Sequence, residues 1–549
     1  MHQQKQSQDI RTTQNTERFL PWLIVAVIII ITAGLRFSLL DVPLERDEGE
    51  YAYAGQLILQ GIPPYLHVYN MKLPGIYAAY ALILAVFGQT HTAIHMGLLI
   101  INAVTILLIF LLAKYLTDSF AGVFAAAAFA VLSLAQSVQG IFANAEHFVI
   151  LFAVAGILLL VLAVDRNNMV LLLASSILLG IGFLMKQHGI AFIVFAGLYL
   201  LFSQLRRRPF NPRAFLPRVV LFIIGVILPF GITCLVLWRA GVFEKFWFST
   251  FVYARKYVSM VPVLDGLGIL KTQMAKIAGS AILIWILAGI GLITLFRVKQ
   301  IHSRRLFVAG FSFFSFLSTC PGLYFREHYF ILLLPAVALL SGIGLLGIRQ
   351  ALVGGQKATI KENVIPVLLG LVVLSYTLYQ QKNFLLAEDP TVVSRMTYGP
   401  NPFPESLKIA EYIKANSSSG DTIAILGSEP QIFFYANRRS AAGYVYTYPL
   451  MRPHPYALQM QEEMIQQIEA AKPRFLILVN VPTSWLVRLT SKKLIFDWFD
   501  QYHQQYYKLV GVIDIVSMNQ TIYRWNENAV GYTPRSQCWL SVFERKSEI

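Results

Sequence analysis

The sequence predicts a mainly helical, polytopic membrane protein that ends in an α/β domain outside the bilayer, and three observations carry that prediction. Of its 549 residues, 56% are hydrophobic and only 13% charged, with a mean hydropathy of +0.58. Such a composition is foreign to soluble globular proteins and to disordered chains. Long apolar runs recur between residues 20 and 380, near the roughly 20 residues needed to cross about 30 Å of hydrocarbon. The formal net charge of +16 is uneven: residues 1–386 hold 29 basic and 14 acidic residues, residues 387–549 hold 16 and 15. Basic residues between apolar runs are what cytoplasmic loops produce, so the excess points to a lipid bilayer and away from nucleic acid. The three cysteines exclude a disulfide framework, and Cys234 and Cys320 sit within apolar runs, where a thiol is a small hydrophobe.

The N-terminal tail, 1–19, is polar and carries Lys5, Arg11 and Arg18. It lacks a small-residue cleavage site, so Leu20–Leu40 is expected to be an uncleaved first span. Further runs lie at 92–113, 119–138, 147–164, 169–185, 189–204, 217–238, 277–296, 306–322, 329–348 and 364–380. A shorter apolar stretch, 74–88, opens with Pro74-Gly75 and ends at Gln89-Thr90-His91. Charge decides its place. If 74–88 does not cross and the N-terminus is inside, then Lys114, Arg166, Arg206-Arg207-Arg208, Arg297 to Arg305 and Arg349 to Lys361 all fall on the cytoplasmic side, as the positive-inside rule requires. About 11 spans result, within a range of 11–13. The expected organisation is a transmembrane module over 20–382, whose first outer loop, 41–90, holds two interfacial helices, and a soluble domain over 383–549. Loop 239–276 is the exception, with six basic residues on the outer side and several aromatics.

The last 167 residues read as α/β. A helix is expected over Glu405–Lys414, a strand over Thr422–Leu426, a helix over Gln459–Ala471, a strand over Arg474–Val479, and further strands near 508–514 and 521–525. On the topology above this domain is extracytoplasmic, and the host membrane is expected to be a cell inner (plasma) membrane.

Of the 14 acidic residues before residue 387, five fall within ten positions: Asp41, Glu45, Asp47, Glu48 and Glu50. Ionisable groups at membrane depth are expensive and mark function, although a solvated acidic loop would read the same way. Convergence favours function. Lys72, Glu146-His147, Lys186-Gln187-His188 and Arg326-Glu327-His328-Tyr329 all stand at ends of apolar segments expected on the same outer face. Together with the acidic cluster they would ring one cavity with groups suited to activating a hydroxyl and expelling a phosphate. Singly, Lys186 or Arg326 could snorkel at a helix end. His91 and His95, at i and i+4, have the spacing of a metal pair but no third ligand nearby in sequence.

The stretch Arg46-Asp47-Glu48-Gly49-Glu50-Tyr51-Ala52 after the first span resembles the acidic first-loop motif of GT-C glycosyltransferases. The nearer resemblance is to the branch that holds the protein O-mannosyltransferases and the lipid A aminoarabinose transferase. Tyr69-Asn70-Met71-Lys72-Leu73-Pro74 is similar to that branch's Lys-Pro element, and Asn144-Ala145-Glu146-His147-Phe148 to its second acidic position. Gly182 to Gln187 and Arg326 to Phe330 resemble further elements of bacterial members, and the resemblance covers about residues 15–350. Met71 departs from the aminoarabinose branch, where an acidic residue precedes the lysine.

The resemblance implies a polyprenyl-phosphate sugar donor, an outer-face active site, and a glycolipid, glycan or protein hydroxyl as acceptor. By position, Asp47 would be the general base, with Glu48 and Glu146 as the accompanying acids. Lys72 would hold the donor phosphate, and Tyr51, Lys186, His188, Arg326, His328 and Tyr329 would bind substrate. Fixed cations would stabilise charge developing on the leaving phosphate, and one carboxylate base suits a single displacement with inversion. The resemblance fixes no cofactor; a divalent cation could sit on the acidic cluster, but no ligand spacing demands one. The competing reading is a transporter or flippase for a lipid-linked saccharide, for which an inverted repeat would be the pointer; the sequence has no visible repeat.

Overall fold

A computed structural model of the chain describes residues 2–206, 209–210, 212–297, 301–353 and 360–546. Of the basic residues used to orient the spans, Arg207, Arg208, Lys299 and Lys357 lie outside the described residues. The chain packs as two compact units. One comprises Met1–Leu39, Met96–Ile232 and Val258–Leu386; the other comprises Leu40–His95, Thr233–Tyr257 and Ala387–Ile549.

The first unit is helical. Among the described residues of the whole chain, six helices are long and apolar enough to cross a membrane: Phe19–Phe37, His91–Leu116, Ala145–Arg166, Gln187–Leu205, Phe215–Arg239 and Glu327–Leu352. Val263–Gly279 and Ile282–Arg297, bent by 105° at their junction, add a seventh crossing if taken as one broken span. Shorter apolar helices are Pro74–Phe87, Ser119–Leu132, Met169–Met185, Arg305–Leu317 and Val364–Gln380. Hydropathy counts apolar residues, not helix length, and several expected runs are interrupted. The run 306–322 ends its helix at Leu317, before a turn at Pro321–Leu323 with Gly322 at φ 74°. The expected loop 239–276 is instead largely helical, ending in the amphipathic helix Val263–Gly279, whose Asp265, Lys271 and Lys276 lowered its apparent apolarity.

Helix contact in this unit relies on small residues that let backbones approach. A Cβ on Gly291 would strike the Leu340 carbonyl, and one on Gly344 would strike the Leu287 carbonyl. Both positions therefore need glycine for Ile282–Arg297 to lie against Leu334–Val353. At the end of the first span, buried Arg36 donates to the carbonyls of Ser133 (2.7 Å) and Gly140 (3.1 Å), which gives the buried cation polar partners.

The second unit is built on a six-stranded sheet. Its strands are β1 (Thr422–Leu426), β2 (Arg439–Ser440), β3 (Phe475–Asn480), β4 (Tyr507–Ser517), β5 (Gln520–Trp525) and β6 (Trp539–Arg545), in the order β2-β1-β3-β6-β4-β5. β2, β1 and β3 are parallel, and β6 runs antiparallel between β3 and β4. The apolar residues of β1 and β3 are almost wholly buried, as expected for parallel strands covered on both faces.

The sequence places a boundary near residue 383, whereas packing assigns the first loop and 233–257 to the same unit as the tail. Specific bonds account for this. The amide of Ser440 donates to the Tyr53 hydroxyl and that of Leu44 to the Tyr435 hydroxyl, each at 2.8 Å. The amide of Tyr69 donates to the Gly443 carbonyl at 2.7 Å, and Lys245 pairs with Glu463 at 2.6 Å.

The first-loop helix Arg46–Leu59 lies against the short helix Gln431–Ala436 at Gly49. A Cβ there would sit 2.6 Å from the Gln431 amide nitrogen and 2.8 Å from its Cα. Gly49→Ala is therefore expected to lower the melting temperature in lipid nanodiscs, by a destabilisation of about 1–3 kcal/mol. Gly34→Ala, with nothing within 4 Å of the new carbon, is expected to leave it unchanged; equal melting temperatures for all three proteins would contradict this packing.

Candidate active site

The helix Arg46–Leu59 begins with a capping box. The Glu45 carboxylate accepts from the Glu48 amide and the Glu48 carboxylate from the Glu45 amide, both at 3.1 Å. This reciprocal pair satisfies two otherwise orphaned donors, and acidic residues suit the positive end of the helix dipole. Burial, then the neighbouring Asp47 and Glu48 charges, push the Glu45 carboxyl well above its usual range.

One turn of this helix presents Asp47 and Tyr51 together, at i and i+4. The Asp47 Oδ2 atom lies 2.7 Å from the Lys72 ammonium and accepts from the Tyr51 hydroxyl at 3.3 Å. Its Oδ1 atom accepts from the Tyr446 hydroxyl at 2.7 Å. Lys72 also donates to the Tyr51 hydroxyl at 3.0 Å. Asp47 and Lys72 keep 14% of their side-chain surface exposed, so both are accessible without being freely solvated.

Lys72 is held from behind. It precedes Leu73 and Pro74, which start the helix Pro74–Phe87 with extended backbone followed by proline, a favoured helix entry. Its carbonyl accepts from Tyr65 at 2.6 Å. Two residues earlier, Asn70 donates to Glu50 Oε2 at 2.6 Å, while Tyr77 donates to Glu50 Oε1 at 2.5 Å. Fully buried Glu50 thus joins the first-loop helix to the segment carrying Lys72. Burial raises its carboxyl to about 7 against the partial opposition of Lys72, with the Asp47 charge adding to the rise.

A separate group lies in the first unit. Buried Glu146 pairs with Lys186 and has His328 Nε2 at 3.9 Å. Lys186 sits over the Tyr329 ring at 4.4 Å, His188 packs edge-on to that ring at 4.6 Å, and His328 Nδ1 bonds Gln139 at 3.0 Å. The residues singled out from sequence therefore gather as Asp47, Tyr51 and Lys72 in one unit, and as Glu146, Lys186, His188, His328 and Tyr329 in the other. Arg326 lies over the Tyr324 ring at 5.9 Å. Glu48 is engaged in the capping box and with His95 Nε2 at 3.1 Å.

The five clustered carboxylates do not converge into a cation cage. Asp41 accepts from Thr92, Glu45 caps a helix, Glu48 meets His95, Glu50 meets Asn70 and Tyr77, and Asp47 meets Lys72. Among the described residues no group of three or more His, Cys, Asp or Glu is placed to hold a metal ion. The His91/His95 spacing has another use: His95 Nδ1 bonds the Leu40 carbonyl at 2.8 Å, and His91 packs edge-on to Tyr435.

Sequence reasoning missed Tyr446 and Glu50 among the residues that hold Asp47 and the segment carrying Lys72. Glu50 and Asn70 stood inside quoted motifs, and the excess of carboxylates over visible cations was a signal that some must be bonded to neutral donors. Tyr446 carried no local signal.

Residues 72–232 match the family model described as dolichyl-phosphate-mannose-protein mannosyltransferase. The fold is similar to that of ArnT from Cupriavidus metallidurans, solved with undecaprenyl phosphate bound: TM-score 0.60, 15% identity, over 94% of this chain and 97% of that one. It is also similar to the archaeal oligosaccharyltransferase AglB from Archaeoglobus fulgidus, solved with an inhibitory peptide and a dolichol-phosphate: TM-score 0.55, 13% identity, over 96% of this chain and 76% of that one. No curated protein matches the chain by sequence. Over residues 72–232 the chain thus resembles that family, and its fold is similar to those of ArnT and AglB.

Glu50 makes stability depend on pH in a predictable direction. Its carboxyl is raised from 4.5 to about 7 by folding, so its contribution is fully present below the lower value and is lost as pH rises through the upper one. Between about pH 5 and pH 8 the wild-type melting temperature should fall more steeply than that of Glu50→Gln. Parallel slopes would show that Glu50 does not titrate in that window.

Proposed function

We propose that this protein moves a sugar from a polyprenyl-phosphate donor to a hydroxyl acceptor on the outer face of a cell inner membrane, with inversion at the anomeric carbon. The observation that carries the reading is the Asp47–Lys72 pair at 2.7 Å. It sets a carboxylate base beside a cation suited to a lipid phosphate. The bound structure of ArnT with undecaprenyl phosphate and the dolichol-phosphate complex of AglB support the donor class.

In this reading the donor phosphate competes for Lys72 and draws it from Asp47 Oδ2. The freed carboxylate accepts the proton of the acceptor hydroxyl as that oxygen bonds to the anomeric carbon. The carbon–oxygen bond to phosphate breaks, and its electron pair leaves on the phosphate, whose charge Lys72 stabilises. Tyr51 remains beside both charged groups. Glu146, Lys186, His188, Arg326, His328 and Tyr329 serve as further substrate-binding residues, with the Glu146–Lys186 pair as their centre.

The test uses the full chain in lipid nanodiscs with a panel of radiolabelled polyprenyl-phosphate sugars, recording bound donor and sugar released to water or to added membrane extract. Asp47→Asn is expected to keep donor binding and lose at least about a hundredfold in turnover, in the range for removing a general base. Lys72→Ala should weaken donor binding as well, because a charge-assisted contact to phosphate is lost. Turnover that survives Asp47→Asn would overturn the assignment, and a donor that crosses the bilayer of sealed proteoliposomes without cleavage would favour a transporter.

A further inference from the structure

The parallel part of the sheet has the order β2-β1-β3. Its chain turns from one side of β1 to the other, so a topological switch point lies between β1 and β3. In open α/β sheets the crevice beyond the carboxyl ends of the strands at such a point is where small ligands bind. Here that crevice is filled from within the chain. Arg46 Nε donates to the carbonyl of Ser428, just past β1, at 2.6 Å. Its Nη2 donates to Glu429 at 2.7 Å and to Asn401 at 2.8 Å, and Asn401 also accepts from Thr483, just past β3, at 2.7 Å. The guanidinium lies 5.2 Å from the Phe403 ring centre. Glu429 is wholly buried and receives a second bond from Gln431 at 2.8 Å. The loops themselves are tied together, with the Ser428 amide on Ser484 Oγ at 2.7 Å and the Ser428 hydroxyl on the Ser484 carbonyl at 2.6 Å.

Arg46 is the residue before Asp47, and the same tail supplies Tyr446 to Asp47 Oδ1 at 2.7 Å. We infer that the tail is the positioning half of the active site: its switch-point crevice takes the Arg46 guanidinium in place of a small ligand, and Tyr446 fixes the carboxylate that follows. Arg46 and Tyr446 are positioning residues, acting through Asp47. Arginine suits this seat because its planar fork donates from Nε to Ser428 and from Nη2 to Glu429 and Asn401, two positions that the single nitrogen of a lysine cannot both occupy. The inference rests on the reading of Asp47 as base, and its test separates the two.

Hydrogen–deuterium exchange of the full chain in nanodiscs needs no substrate. Arg46→Lys keeps a charge beside Glu429 but loses the fork, and should speed exchange across 44–52 and 427–432 by at least about threefold, the scale set by losing one or two hydrogen bonds. Protection across β3, 475–480, reports that the second unit remains folded. Exchange within twofold of wild type in both segments overturns the inference, whatever the fate of the catalytic assignment. The second arm is Tyr446→Phe assayed with the donor that wild type turns over. A lost hydrogen bond to the charged carboxylate disfavours that form, so kcat should fall with KM little changed, and the acid limb of the kcat/KM profile should move to higher pH. The other charged or titratable groups around Asp47, among them Lys72, Tyr51, Tyr77, Tyr80, Glu45, Glu48, Glu50 and Arg46, are unchanged in this variant. Turnover lost in Asp47→Asn but unaltered in Tyr446→Phe overturns the positioning role alone; turnover retained in Asp47→Asn overturns the base assignment and leaves the exchange result standing.

Discussion

Five carboxylates within ten residues repel one another, and most of them are buried. Each must have its own partner or give up its charge. The second unit is organised around that requirement. Glu45 and Glu48 share a capping box, Glu48 adds His95, Glu50 takes two neutral donors, and Asp47 takes one cation and two hydroxyls. Segments far apart in the chain are thereby drawn to one short helix. The arrangement leaves Asp47 as the carboxylate whose partners are an exchangeable ion pair and two tyrosine hydroxyls.

That outcome explains why the tail packs with the first loop. Buried charge is specific in a way that apolar contact is not, since removing one member of a buried pair leaves the other uncompensated. Arg46 with Glu429, and the ordered loops after β1 and β3, give the first-loop helix one seat. Gly49 lets the helix approach Gln431 closely enough to take it. In the first unit the same logic appears as Glu146 with Lys186 and His328, surrounded by helices whose apolar surfaces suit lipid.

Much of the fold was legible locally. The strand Thr422–Leu426 was expected at its observed bounds, and the helix expected over Gln459–Ala471 runs Ala457–Ala471. Both carry periodic apolar patterns that need no distant partner to be recognised. β2 has two residues, and β6 carries Glu544 and Arg545 in a strand defined by its pairing with β3 and β4; neither has a pattern of its own. Within the site, Asp47, Tyr51 and Lys72 are 25 positions apart or fewer and stand in recognisable motifs. Tyr446 reaches Asp47 across 399 positions. A hydroxyl contributed over that distance leaves no trace in local sequence, because the fold alone brings it there. The amphipathic helix Val263–Gly279 was hidden for a different reason: its charged face masks its apolar one in a hydropathy scan.

The central claim is that Lys72 holds Asp47 until a lipid phosphate takes the ammonium away. An electron-microscopy structure of the full chain in nanodiscs with undecaprenyl phosphate tests it directly. The account predicts phosphate density within about 3 Å of Lys72 Nζ, a hydrogen-bonding distance, with the Lys72–Asp47 contact opened and Tyr446 still on Asp47. Phosphate bound elsewhere, with Lys72 still seated on Asp47, would contradict it.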